Sequence, residues 1–194
     1  MLILTRADVE RLLDLDALVE RLQHAMVDLS AGRASVPPRI GAAVPEHHAF
    51  LAAMPAFVPS LHALEAKLVS VFPHERPSHR AVIVCFDPET GAPIALMDGT
   101  YITAARTAAG SALATKWLAR ADPSRVAILG AGVQGRSHAV ALSRQHRLEQ
   151  ITIAARDHAQ AAAPAPRRAI PRQRSPPRWS PRRPHGRRCC SRRS

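Results

Sequence analysis

The stretch RVAILGAGVQGRSHAVAL, residues 125 to 142, constrains this chain more than any other. Four apolar residues lead into three glycines spaced GxGxxG, and a helix-forming run follows. The pattern predicts a strand, a tight turn and a helix, with a second strand in QITIAA at residues 150 to 155. In such a unit Gly130 permits the turn, Gly132 lets a pyrophosphate approach the backbone, and Gly135 lets the helix pack closely on the strand. Val133 and Gln134 lie within the turn, and Arg136 and Ser137 follow it, where they would meet phosphate charge beside the free N–H groups of the helix start. The expected ligand is a dinucleotide. Cofactor choice is read about 20 positions further on, where an acid would accept the ribose 2′-OH of NAD(H). Ala155, Arg156 and Asp157 stand there. Arg156 pairing with a 2′-phosphate favours NADP(H). The alternative is that Arg156 is a solvated loop residue and Asp157 contacts the ribose, which keeps NAD(H) possible.

The formal charge of +12 invites a nucleic-acid reading until its location is considered. Eleven of the 27 basic residues lie between Pro164 and Ser194, a segment with seven prolines and no Asp, Glu or Lys. The first 163 residues therefore carry sixteen basic against fifteen acidic side chains and are close to neutral. A basic face built into the fold is excluded on this count, and nucleic acid is an unfavoured partner. Three cysteines, one in an apolar run and two adjacent near the end, form no disulfide framework, and the ten histidines show no ligand spacing. No metal is expected, and His47, His48, His74 and His79 read as solvated loop residues. Charges at Arg6, Asp8 and Glu10 come too early for a signal peptide, and Arg106 and Lys116 interrupt the longest small-apolar run. A cytoplasmic setting without a membrane span is the expectation.

Along the chain, Thr5 and Asp8 form a capping-box pattern that opens a short helix through Leu13. Asp14 caps a second helix whose apolar stripe is Leu18, Leu22, Ala25, Met26 and Leu29, with Gly32 as its stop. SVPPRIGAAVP is extended. HALEAKLVSVF, RAVIVCF and APIALMD read as strands, the last two joined through DPETG. A small-residue helix follows, beginning near Thr103 and closed by Asp122 and Pro123. Domain boundaries fall at 1–121, 122–160 and 161–194, and the last, Arg/Pro-rich segment is expected to be disordered.

In their order AMPAF, AKLVSVFP, FDPETGAPIALMDGTYITAARTAAGSALATKWLAR and VAILGAGVQGRSH resemble the ornithine cyclodeaminase/mu-crystallin family over about residues 1 to 160. The resemblance implies an α/β chain: an N-terminal α+β substrate and dimerisation domain followed by a Rossmann-type dinucleotide-binding domain. It implies a homodimer and hydride exchange between a nicotinamide and the α-carbon of a small amino or imino acid. Ketimine (pyrroline-2-carboxylate) reductase and ornithine cyclodeaminase are the expected types. Such a substrate demands a cationic clamp for its carboxylate, and Arg39, Lys67 and Arg106 match the family's basic positions, with Lys67 and Arg106 closest to the chemistry. Lys67 sits in an otherwise apolar strand, where a lone ammonium is costly without an anion. Arg106 is placed in the first turn of its helix, where a cation opposes the dipole unless an anion binds there. Through the resemblance Met54 lines the substrate pocket, although a Met there suits ordinary core equally. Ser78 replaces a cofactor-contacting threonine, and Arg106, Val133 and Gln134 lie against the cofactor.

The family continues with further βα units that carry an acidic acid/base residue, and Asp157 is the last acid in this sequence. The expectation is therefore an incomplete Rossmann unit with a non-homologous, frameshift-like tail, in a shortened and inactive product. Two other readings stay open: a crystallin-like NADPH binder without turnover, and RNA binding through RSPPRWSPRRP.

Overall fold

The computed structural model describes residues 1–155. Arg156, Asp157 and the Arg/Pro-rich segment lie outside the described residues, so the expectations attached to them are not addressed by it. The described part is built on two sheets. Strands β1 (Leu2–Leu4), β2 (Ile40–Val44), β3 (Ala49–Val58), β4 (Ala63–Val71), β5 (His79–Phe86) and β6 (Pro93–Asp98) form the larger one, in the order β1-β6-β5-β4-β3-β2. All its pairings are antiparallel except β1 with β6. Strands β7 (Arg125–Leu129) and β8 (Gln150–Ala154) form a parallel pair. Four helices accompany them: α1 (Arg6–Leu12), α2 (Leu15–Ser30), α3 (Gly99–Leu118) and α4 (Val133–Gln145). This is the expected α/β organisation, with an α+β front part and a βαβ unit of dinucleotide-binding type behind it.

The helix starts follow the chemistry of their caps. Thr5 and Asp8 exchange the two bonds of a capping box at α1, and the Asp14 carboxylate accepts the N–H groups of Asp16 and Ala17 at α2. Gly32, at φ 69°, ends α2 as read from the sequence. Within α2 the buried apolar contact is Val19, with Leu18 and Leu22 packed beside Ala109 and Leu113 of α3. Met26 and Leu29 of the expected stripe are half exposed, and Asp28 between them is the residue turned inward, accepting the Ser60 N–H.

Two strands went unread in the sequence. β1 is only three residues long, and β3 contains Pro55, which argues against a strand interior. The register explains the exception. Phe57 exchanges both backbone bonds with Ser35, so two-residue alternation turns Pro55 towards the same edge. β2 pairs only as far as Ala53, so the donor that proline lacks has no ladder partner there.

Helix α3 begins four residues earlier than the Thr103 start expected from sequence. The Asp98 carboxylate accepts the Tyr101 N–H, and Thr100 Oγ1 accepts the Ala81 N–H at 3.0 Å, fixing the helix start on β5. Gly99 is required at that contact, since a Cβ there would lie 3.0 Å from Ala81 Cβ and 3.1 Å from Ile83 Cγ1. A run of buried alanines, 104, 105, 108, 109 and 112, lets α3 serve both parts of the molecule. One side meets α2, and the other packs Ala108 and Ala112 against Ala141 and Leu142 of α4.

Candidate functional site

The glycine turn joins β7 to α4. Gly130 has φ 113°, a conformation reserved in practice for glycine, and its N–H donates to the Ala154 carbonyl at 2.7 Å, locking the turn to β8. Gly132 is the N-cap of α4 and carries no capping side chain, which leaves the first-turn N–H groups to an incoming acceptor. A Cβ built on Gly130 or Gly132 meets nothing within 4 Å, whereas one on Gly135 would lie 1.9 Å from the Gly130 carbonyl oxygen. Two glycines thus hold space open and the third closes helix onto strand. This is the division of labour a pyrophosphate cradle needs, and the residues present fit a dinucleotide. Val133 and Gln134 are exposed at the helix start. Arg136 turns its Nε towards the Ala131 carbonyl at 3.3 Å, so part of its donor capacity braces the turn.

The second cluster lies on the large sheet. Strand register places Met54 opposite Lys67 and Lys67 opposite Ile83, in one row across β3, β4 and β5. The neighbouring row on the same face holds Ala56, Glu65 and Cys85. Arg39 directly precedes β2, one step beyond the Ile40–Ala53 pair and on the side of Met54. Ala81 and Ile83, which touch the start of α3, belong to this face, so α3 lies over it and carries Arg106. Three cations and one carboxylate converge as a result.

Their electrostatics show how closely they are set. Burial holds the Lys67 ammonium below the ordinary lysine range; Arg106 and Arg39 add repulsion while Glu65 opposes it. Burial pushes the Glu65 carboxyl up, against the attraction of Lys67 and Arg106. The Cys85 thiol is raised by burial and by Glu65. Among the described residues, no hydrogen bond or ion pair engages the side chains of Arg39, Glu65, Lys67 or Arg106. Three positive charges around one negative leave an excess suited to an anion, and their donors are uncommitted.

The structure therefore brings Arg39, Met54, Lys67 and Arg106 onto one face. It corrects the position of Arg106. With α3 starting at Gly99, Arg106 lies about 10 Å along the helix, beyond the unpaired N–H groups, so the dipole argument for it fails. Its place over Lys67 is the physical reason to retain it. Lys67 does not lie in an otherwise apolar setting either, because Glu65 shares its face. Glu65 was missed, although its two-residue offset from Lys67 on a predicted strand was the available signal. Ser78 ends the β4–β5 connection, where its carbonyl accepts the Phe72 N–H at 2.8 Å and its hydroxyl lies 3.0 Å from His79 Nδ1. No helix among the described residues is long and apolar enough to cross a membrane.

The profile of the ornithine cyclodeaminase/mu-crystallin family matches residues 1–169. Ketimine reductase mu-crystallin of Macropus fuliginosus is 37% identical over 155 residues, covering 75% of this chain and 49% of the relative. The Thermococcus litoralis Delta(1)-pyrroline-2-carboxylate reductase, solved with NADH and L-proline, superposes with a TM-score of 0.78 at 39% identity. That match covers 83% of this chain and 51% of the other. An archaeal alanine dehydrogenase dimer with bound NAD gives a TM-score of 0.76 at 30% identity, covering 83% and 50%. The chain spans about half the length of the curated relatives it matches.

Proposed function

Because this chain belongs to the ornithine cyclodeaminase/mu-crystallin family, we propose that it serves nicotinamide-dependent hydride transfer at the α-carbon of a small amino or imino acid. The observation that carries this reading is the group of uncommitted cations Arg39, Lys67 and Arg106 on a sheet face, in one chain with an open glycine cradle. A bound dinucleotide would supply or accept the hydride. Gly130, Gly132, Gly135 and the N–H groups of Val133 and Gln134 would hold its pyrophosphate. Lys67 and Arg106 would grip the substrate carboxylate, neutralising the buried ammonium and fixing the α-carbon for reaction. Arg39 would close the clamp from the sheet edge, and Met54, opposite Lys67, would give it an apolar wall.

The reductase direction, with a cyclic ketimine such as pyrroline-2-carboxylate as substrate, is preferred over the cyclodeaminase lyase reaction on ornithine. Its support is the likeness to reductases whose solved relative binds NADH and L-proline. NADP(H) preference is the finer part of the proposal and rests on Arg156 alone. Ser78 is assigned to the cofactor side, the division at residue 121 separates the two binding parts, and the setting is cytoplasmic. A homodimer is proposed through the sheet face opposite the charged one. There Ile3, Leu51, Leu68 and Val82 stand between 37% and 66% exposed, an apolar surface in need of a partner.

The test is a paired assay on the full chain. Fluorescence titration with NADH and NADPH measures cradle binding, and cofactor oxidation with pyrroline-2-carboxylate measures turnover. Binding with turnover supports the reductase. Binding without it supports the crystallin-like reading, and binding of neither cofactor contradicts the cradle.

A further inference from the structure

Glu65 has no part in the clamp described above, yet it occupies the adjoining row of the same face. It lies about 7 Å from Lys67 along β4. Its cross-strand neighbours are Ala56 and Cys85, so neither facing strand sets a charge or a strong donor opposite it. A half-buried carboxylate ordinarily collects donors, because leaving its lone pairs unsatisfied is costly. Asp28 shows the usual solution. Its buried carboxylate accepts the Ser60 N–H at 2.8 Å and two Arg33 nitrogens at 2.7 and 3.0 Å. Glu65 receives no hydrogen bond and forms no ion pair, even with Lys67 or Arg106 nearby. Burial works against its charged form and the two cations work for it, yet none of them bonds it directly.

We propose that Glu65 is a specificity-determining residue that holds the cationic nitrogen on the substrate's α-carbon, while Lys67 and Arg106 hold the carboxylate beside it. The assignment rests on the carboxylate-clamp reading of Lys67 and Arg106. Adjacent same-face positions on one strand match the short separation of charges in a single zwitterion, rather than the ends of a long diamine. The preferred ligands are therefore compact α-amino or iminium acids with charges of both signs. Acids of the same shape without the nitrogen would meet Glu65 with a methylene and leave its oxygens unpaired, the type of mismatch that polar sites reject most strongly.

Isothermal titration of the full chain with L-proline and with cyclopentanecarboxylate tests this, since the two share ring size and carboxylate and differ at the nitrogen. The unaltered chain is expected to bind proline at least tenfold more tightly. In Glu65→Gln that preference should collapse, with proline weakened about tenfold or more and cyclopentanecarboxylate unchanged or tighter. Lys67→Met should lose both. A Glu65→Gln chain that keeps the full preference for proline overturns the Glu65 assignment and leaves the clamp intact. Failure of the unaltered chain to bind either acid overturns the clamp and, with it, the role given to Glu65. Circular dichroism of each variant verifies that the fold is retained.

Discussion

The charged sheet face and the glycine turn are built in opposite ways. The face crowds Arg39, Glu65, Lys67 and Arg106 together and leaves them unpaired among the described residues. The turn works by omission: Gly130 and Gly132 leave room where other residues would place atoms, and Gly135 removes the one Cβ that would collide. One region holds unpaired, partly desolvated charges, and the other holds empty space beside backbone donors. Substitutions should therefore act differently in the two places. On the face they should change binding while relaxing the fold, and in the turn position alone should decide which property fails.

The largest effect is expected on the face. Lys67→Met should weaken binding of L-proline by about a hundredfold or more, as removal of a partner from a desolvated charge pair does. The same change should raise the melting temperature of the unliganded chain. Lys67 is held below its ordinary range, so the folded chain binds fewer protons there than the unfolded one. That penalty is present below the folded pKa of Lys67 and fades as pH rises through it towards the ordinary lysine value. A calorimetric scan showing a fall in melting temperature would break the contrast between the two regions.

In the turn, Gly135→Ala should destabilise by about 2–3 kcal/mol, because its Cβ meets backbone rather than a flexible side chain. Gly132→Ala should leave the melting temperature nearly unchanged, since φ is −71° and the added Cβ meets no protein atom. It should nonetheless weaken NADH binding about tenfold by filling the cradle. Thermal melts and fluorescence titration of the two variants side by side test this; equal loss of stability in both would remove the distinction between space-holding and packing glycines.

Asp28 sharpens the comparison as a buried carboxylate that is fully bonded. Hydrogen bonds from Ser60, then from Arg33, hold it at about 2, below the ordinary 3.8. A depressed carboxylate stabilises above its unfolded value and loses that contribution as pH falls towards the folded one. Asp28→Asn should therefore lower the melting temperature at neutral pH by an amount that shrinks between about pH 4 and pH 2. A constant difference across that window would contradict it. The smallest effect is expected at Arg144, which pairs bidentately with Asp16 and ties α4 to α2. Arg144→Ala should cost about 1 kcal/mol or less by denaturant melt, because the pair keeps contact with solvent.

How much of this was legible in the sequence also differs between the two regions. The turn could be read residue by residue, because GxGxxG between a strand and a helix specifies backbone conformation, and backbone conformation is local. The helix caps at Thr5 and Asp14 and the DPETG connection were legible for the same reason. The face was not. Arg39, Met54, Lys67 and Arg106 are dispersed over nearly 70 residues, and only the register of β2, β3 and β4 and the docking of α3 over them set the four on one face. Resemblance pointed to them, but pattern alone could not. Pro55 concealed β3 by a sound rule whose exception depends on where β2 ends, whereas Glu65 could have been found from its two-residue offset from Lys67. The start of α3 was misplaced because Gly99 and Thr100 answer to β5, not to their sequence neighbours.

A crystal of the full chain grown with NADH and L-proline tests the central claim most directly. The account predicts the proline carboxylate within hydrogen-bond distance of the Lys67 ammonium and the Arg106 guanidinium, with the pyrophosphate on the Gly130–Gly135 turn. Proline lodged away from both cations, or a dinucleotide held elsewhere than at the turn, would contradict it.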